Sequence, residues 1–290
     1  MPKNLNFYSL NNAFKLEITF LIDLVAIAGY FTIEDPLTHI FLLVPLLISG
    51  TLASMSAGIF NNLYDMDIDS KMSRVSQRRS FITRTKTLLA SIMLLFLLTS
   101  AYVSIIYINI ATFVFIMAGF LSYAILYTVL LKRRTDLNIV IGGIAGSFPA
   151  LAGGSVLLGY PTVESIFIAA IVFLWTPTHF WSLAIKYVDD YKKAGIPMLP
   201  ATRGIESTRK WIMINSIILM AVMVSPVIAP FLENSVMFRI LAIPLGLLIL
   251  IPSVIYYANK GNVEKYRKLF SISNTFLTLT LIVAMISFVV

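Results

Sequence analysis

Asn61-Asn62-Leu63-Tyr64-Asp65-Met66-Asp67-Ile68-Asp69 closes an apolar run over 38–61, and its reading decides the fold. Three of the chain's 14 acidic residues fall within five positions here. Ser70-Lys71-Met72-Ser73-Arg74-Val75-Ser76-Gln77-Arg78-Arg79 follows at once. If the helix runs on at about 100° per residue, Asn62, Asp65 and Asp69 lie within roughly 60° of one another, with Asn61 nearby and Asp67 turned away. Two carboxylates and an amide on one face repel unless a cation sits among them. Oxygen-only ligands suit Mg²⁺ or Ca²⁺, and the basic neighbours favour Mg²⁺ shared with a phosphate. An arbitrary acidic patch is more often a solvated helix end; this one ends a membrane span and has a second like it further on.

Working outward, hydrophobic residues make up 58% of the 290 residues, charged residues 12%, and the mean hydropathy is +0.88. That composition defines an integral membrane protein, because it leaves too little polar surface for a soluble domain of this size. Apolar stretches of spanning length lie at 14–32, 38–61, 87–108, 110–131, 138–158, 163–185, 210–232, 237–258 and 268–289. They predict one all-α membrane domain over 1–290 with nine transmembrane helices and two long polar loops, 62–86 and 186–209. The chain has no cysteine, which excludes disulfides, thiol nucleophiles and zinc thiolates. Residues 1–10 lack the features of a cleavable signal or transit peptide, so the first span is expected to be retained. With the N-terminus in the cytoplasm, all of the 22 Lys and Arg residues except Arg239 fall on inner segments, while Glu34, Asp35, Glu164 and Glu233 lie outside. Both acidic islands then share the cytoplasmic face. Topology and anionic lipid account for the net charge of +8, with no nucleic acid required.

The second island is Lys186-Tyr187-Val188-Asp189-Asp190-Tyr191-Lys192-Lys193-Ala194-Gly195, followed by Ile196-Pro197-Met198-Leu199-Pro200. Adjacent carboxylates before two lysines again suit a metal–diphosphate partner. Upstream, Pro177 within Trp175-Thr176-Pro177-Thr178-His179-Phe180-Trp181 predicts a kink toward a cavity. If the helix resumes after it, Lys186 and Asp190 each fall within roughly 20° of His179. His179 is then a hydrogen-bonded core residue, a proton-transfer group or a heme-iron ligand. Asp23, deep in the first span, is a site residue or an interhelical contact. Lys15 and Glu17, nearer the cytoplasmic end, are expected to pair with each other. The glycines of 138–149 lie in a span with no phosphate-loop signature, and they point to close helix packing or a flat ligand.

Four blocks carry a resemblance to the UbiA superfamily of intramembrane prenyltransferases, and within it to the members that farnesylate heme. They are Asn61-Asn62 with Asp65, Asp69, Met72, Arg74 and Arg78; Tyr127 with Leu131-Lys132-Arg133-Arg134-Thr135; Asn138 through Pro149; and Thr176 through Pro200 with its His179-Phe180-Trp181 and Pro197-Met198-Leu199-Pro200. The chain departs from the pattern at Lys15-Leu16-Glu17, where Lys-Pro-Arg is usual, and at Lys186, where an acid is common. The resemblance implies nine helices around a central cavity with a cytoplasmic cap. It implies that farnesyl diphosphate and heme B combine, with water, to give heme O. Asn62, Asp65 and Asp69, with Asn61 as an alternate, would ligate Mg²⁺. Asp190 and Asp189 would complete the cage, and Lys186 would stand in for one metal charge. Lys71, Arg74, Arg78, Lys132 and Arg133 would hold the diphosphate, and His179 and Trp181 would meet the porphyrin. Heme A synthase or a terminal-oxidase assembly factor would be its partner. The rival readings are a relative that prenylates an aromatic quinone precursor or a lipid, and a membrane transporter using the acids as a cation path. The position of the acids at span ends favours the enzyme over the transporter.

Overall fold

The computed structural model describes residues 11, 13–69, 79–228, 236–260 and 262–288, and within these the side chains of 69 and 79–81 are not described. Every regular element among them is helical. Helix α1 spans Leu16–Tyr30; a single 3-10 turn, Ile40–Leu42, leads into α2, Leu43–Tyr64; two short helices follow, α3 (Met66–Asp69) and α4 (Arg79–Arg84). Next come α5 (Lys86–Tyr107) and α6 (Ile110–Leu121), which continues as a π-helix over Ser122–Leu131. The stretch that follows is broken into α7 (Asn138–Gly142), a 3-10 turn (Gly143–Gly146) and α8 (Phe148–Gly154). The second half comprises α9 (Val163–Lys186), α10 (Val188–Ala194), α11 (Leu199–Thr202), α12 (Gly204–Ile228), α13 (Val236–Ala258) and α14 (Val263–Ser287).

Among the described residues, seven helices are long and apolar enough to cross a membrane. The two other expected spans are shorter. Helix α1 has 15 residues because Lys15 at its start adopts a left-handed backbone (φ 52°), and at 1.5 Å per residue that makes about 22 Å. The 138–154 stretch loses its regular ladder at Gly142-Gly143 and restarts at Phe148, with Pro149 in the first turn. Where the chain re-enters an apolar helix, polar caps hold the turn: Asn109 accepts from Thr112 N–H at 2.8 Å and Thr162 from Ser165 N–H at 3.1 Å.

Helices α2, α5, α6, α8 and α1 pack as one half, and α9, α12, α13 and α14 as the other, with α9 against α8 and α14 against α1. The main core lies in the second half, where Trp175, Trp181, Ile212, Leu219, Phe238, Tyr266 and Phe276 are buried together. The α1–α8 crossing is made backbone to backbone. A Cβ on Gly29 would lie 2.1 Å from the Ala150 carbonyl oxygen, and one on Gly153 would lie 2.1 Å from that of Ala26. Gly143 packs on Thr176 and Gly142 on the Tyr127 ring, so these glycines serve close helix packing, as small residues do in membranes.

At one end of the bundle a smaller buried cluster joins Ile68 of α3, Tyr127 of the π-helix, Ile139 of α7, Ala184 of α9 and Tyr191 of α10. That cluster brings the two acidic islands together. An ion pair between Arg203 and Asp136, 2.5 and 3.1 Å, fastens the segment after α11 to the turn before α7.

Candidate active site

Asp65 is the centre of the site. Helix α2 stops at Tyr64, and Asp65 caps it with φ −90° and ψ 8°, so its carboxyl turns inward at 0% exposure. Lys132, at the end of the π-helix, ion-pairs with one of its oxygens, and Arg133 lies 3.4 Å from the other. Asn61, one turn back on α2, donates to Asp65 Oδ2 at 2.7 Å and to Thr128 Oγ1 at 3.0 Å. A carboxylate taken wholly out of water is tolerated only with such charge partners and donors around it.

Arg133 does more than face Asp65. Its two terminal nitrogens fork onto Asp67 at 2.8 Å each, one of them also reaches the Tyr64 carbonyl at 3.2 Å, and the guanidinium lies 4.9 Å over the Tyr64 ring. Its hydrogen bonds hold the Asp67 carboxyl below the ordinary aspartate range, and Asp67 in turn raises Arg133. Asp67 therefore belongs to the site, although an unbroken helical wheel turns it away. The wheel fails because α2 ends at Tyr64 and α3 starts a new direction.

Lys15 also reaches the site. Its ammonium donates to Asn61 Oδ1 at 2.5 Å and to the Tyr123 hydroxyl at 2.8 Å. Glu17, its expected partner, accepts instead from Asn11 at 3.5 Å. The left-handed backbone at Lys15 aims the side chain, and Gly58 makes room, since a Cβ there would stand 3.2 Å from the Phe14 carbonyl oxygen. With its oxygen bound to Lys15 and its NH₂ group to Asp65 and Thr128, Asn61 is fully used as a relay. Asn62 donates to the Ala13 carbonyl at 2.9 Å. Tyr123, Tyr127, Thr128 and Lys132 reach one side of their helix through the wider π-helical turn, in which Thr128 Oγ1 bonds back to the Tyr123 carbonyl.

The second island flanks Tyr191, which belongs to the same buried cluster as Ile68. Asp189 and Lys186 are exposed and Asp190 is half-buried. Helix α9 ends at Lys186, and Tyr187 (φ −110°, ψ 26°) breaks the path to α10. The expected stripe of His179, Lys186 and Asp190 is interrupted there. Lys186 sits 4.9 Å over the Tyr187 ring. Gly195, with φ +70°, ends α10, and Met198 is extended before Pro200. His179 faces α14, where its Nδ1 lies 2.8 Å from Ser273 Oγ. Trp181, two residues on and therefore about 200° round the helix, is buried in the main core. The two do not share a face. Lys71, Arg74 and Arg78 lie outside the described residues, as does the Asp69 side chain.

Among the described residues no three carboxylate or imidazole groups gather to form a metal cage. The donor chemistry still fits Mg²⁺. That ion asks for only one or two protein carboxylates, completing its shell with water and substrate oxygens, and Asp65 is a buried carboxylate flanked by fixed cations. Missed by sequence reasoning were Lys15, Asp67, Tyr123, Thr128 and Ser273. The polar residues inside otherwise apolar spans were the available signal.

A carboxylate–cation cluster at one end of a multi-pass helical bundle can hold an anionic head while the apolar helices take a lipid tail. The UbiA prenyltransferase family profile matches residues 24–280, and the chain belongs to that family. It is 46% identical over 274 residues to "Protoheme IX farnesyltransferase 2" of Picrophilus torridus, covering 92% of this chain and 93% of that one. Its fold matches that of digeranylgeranylglyceryl phosphate synthase, with a TM-score of 0.77, 14% identity and coverage of 97% and 98% of the two chains. It also matches a UbiA homolog from Archaeoglobus fulgidus bound to GPP and Mg²⁺, with a TM-score of 0.68, 17% identity and coverage of 95% and 99%.

Proposed function

We propose that this prenyltransferase moves the farnesyl group of farnesyl diphosphate onto a vinyl group of heme B, with addition of water, giving heme O. The family membership and the protoheme IX farnesyltransferase relative support the reaction. The observation that carries the site is the buried Asp65 carboxylate held between Lys132 and Arg133. Asp65, Asp69 and Asp190 would hold Mg²⁺, with Asn62 and Asp189 as further oxygen donors. Asn61 is better placed as the relay from Lys15 to Asp65. Held by those residues, Mg²⁺ would supply positive charge to the diphosphate, which would help the allylic C–O bond break.

This chain's residues do the rest. Lys132 and Arg133, with Lys71, Arg74 and Arg78, bind the departing diphosphate, arginine by two-pronged hydrogen bonds and lysine as a point charge. The heme vinyl carbon attacks the farnesyl cation, water captures the cation left beside the ring, and one proton is lost. Excluding water from the first cation requires a dry chamber. We assign that role to a cavity between the two halves, enclosed by nine helices if α1 and the broken α7–α8 stretch are counted as spans, and capped by 62–86 and 186–209. The charge asymmetry of the sequence supports an N-terminus and an active site on the cytoplasmic side, where heme A synthase or an oxidase assembly factor would collect the product. Lys186 lies at the rim of the second island, where it would supply one fixed charge.

The test is pyrophosphate release by the full chain in lipid nanodiscs, with Mg²⁺ and farnesyl diphosphate and without any gradient. Release stimulated by heme B is the expected result. Release stimulated by an aromatic quinone precursor or a lipid acceptor, and not by heme, would overturn the assignment of the acceptor.

A further inference from the structure

Ser273 stands on α14, about a hundred residues from the motifs, and is 0% exposed. Its hydroxyl has a single proton, which goes to the Phe270 carbonyl at 2.7 Å. With the proton on that carbonyl, the same oxygen accepts from His179 Nδ1, 2.8 Å away. In that arrangement the imidazole proton sits on Nδ1, and Nε2 keeps its lone pair. Two further contacts hold the ring. Trp175, one turn before His179, donates its indole N–H to the Ser273 carbonyl at 2.8 Å. Trp175 and Phe270 lie flat against the imidazole with ring centroids 4.2 and 4.4 Å away. Rings that close and that nearly parallel must cover opposite faces, so what is left to meet another molecule is the edge that carries Nε2. His179 is half-buried, whereas Trp175 and Ser273 are buried.

A histidine that only fills a core needs one hydrogen bond. Here one residue, Ser273, fixes both the tautomer through its hydroxyl and the neighbouring indole through its carbonyl. A metal-binding imidazole is held in just this way, by a partner on the nitrogen away from the metal. We infer that Ser273 is a positioning residue that keeps His179 in its Nδ1–H form, so that Nε2 serves as an axial ligand to the iron of the heme acceptor. The inference rests on the heme reading and adds to it a ligand atom and the residue that orients it.

The test titrates ferric protoheme IX into the full chain in nanodiscs, following absorption and electron paramagnetic resonance spectra, with product formation measured in parallel. His179→Ala is expected to lose the histidine-ligand signature, and added imidazole to restore it. Ser273→Ala is expected to shift that signature and weaken heme binding by about 10-fold or more, the range for lost outer partners of a metal ligand. Ser273→Thr, which keeps the hydroxyl, is expected to retain the wild-type spectrum. Ser273→Cys, a weak acceptor of similar volume, replaces the alanine variant if that one fails to fold. Wild-type spectra and affinity in both His179→Ala and Ser273→Ala, with farnesyl transfer intact, would overturn the inference alone. A wild-type chain that neither binds nor farnesylates heme would overturn the heme reading and the inference with it.

Discussion

Asp65 and Asp67 are two residues apart and are put to different uses by one arginine. Asp65 is buried and shared by Lys132 and Arg133, whereas Asp67 is 62% exposed and forked by Arg133. Asp65→Asn removes the charge that both cations are built around. Its turnover should fall by about 100-fold or more, the scale of losing one preorganised electrostatic contact. Asp67→Asn should cost well under 1 kcal/mol of stability, as exposed pairs do, and should raise KM for farnesyl diphosphate only a few-fold. The pH dependence of that pair has a definite sign. Because the folded state lowers the Asp67 pKa, its contribution is complete above the ordinary aspartate value of about 4 and fades as pH falls through the lowered one. A melting series between neutral and acid pH on wild type and Asp67→Asn checks it: the two curves should converge toward the acid end. The acids and Lys132-Arg133 were legible in the sequence as charges at span ends. The fork on Asp67 was not, because it depends on the break in helix geometry at Asp65, and no residue type there announces a break.

At the scale of elements, irregular helices place the chemistry. The π-helical end of α6 gathers Tyr123, Thr128 and Lys132, and the left-handed backbone at Lys15 sends its ammonium to the same Asn61. Hydropathy read α6 and its continuation correctly as apolar span, but a wider turn changes which side chains share a face without changing composition. Lys15→Met should accordingly raise KM for farnesyl diphosphate or weaken Mg²⁺ dependence, while an unchanged profile in both would show that Lys15 only anchors the start of α1. The α1–α8 crossing makes a separate claim on stability. Gly153→Leu would drive a side chain into the Ala26 carbonyl and the Tyr30 N–H, which lie 2.1 and 2.6 Å from the new Cβ. The loss should be at least about 1–3 kcal/mol, the usual cost of overpacking, visible as a lower melting temperature in detergent. The glycines of 138–149 were legible in the sequence as close packing; Gly29 and Gly153, which make the α1–α8 crossing, were not.

At the scale of the molecule, Ile68 beside the first acidic island and Tyr191 beside the second share one buried cluster at the same end of the bundle. An isolated island would be a solvated helix end; two islands closed over an apolar bundle make a place where a charged head and a greasy tail can be held together. The sequence alone displayed this plan through span lengths and charge asymmetry. It could not display the His179–Ser273 contact, which joins residues 94 positions apart. The most direct measurement is the mass of the product formed from heme B and farnesyl diphosphate with Mg²⁺, by wild type and by Asp65→Asn. The account predicts heme increased by one farnesyl group and one water with the wild type, and almost none with the variant. Unchanged heme in both, or equal product from both, would contradict it.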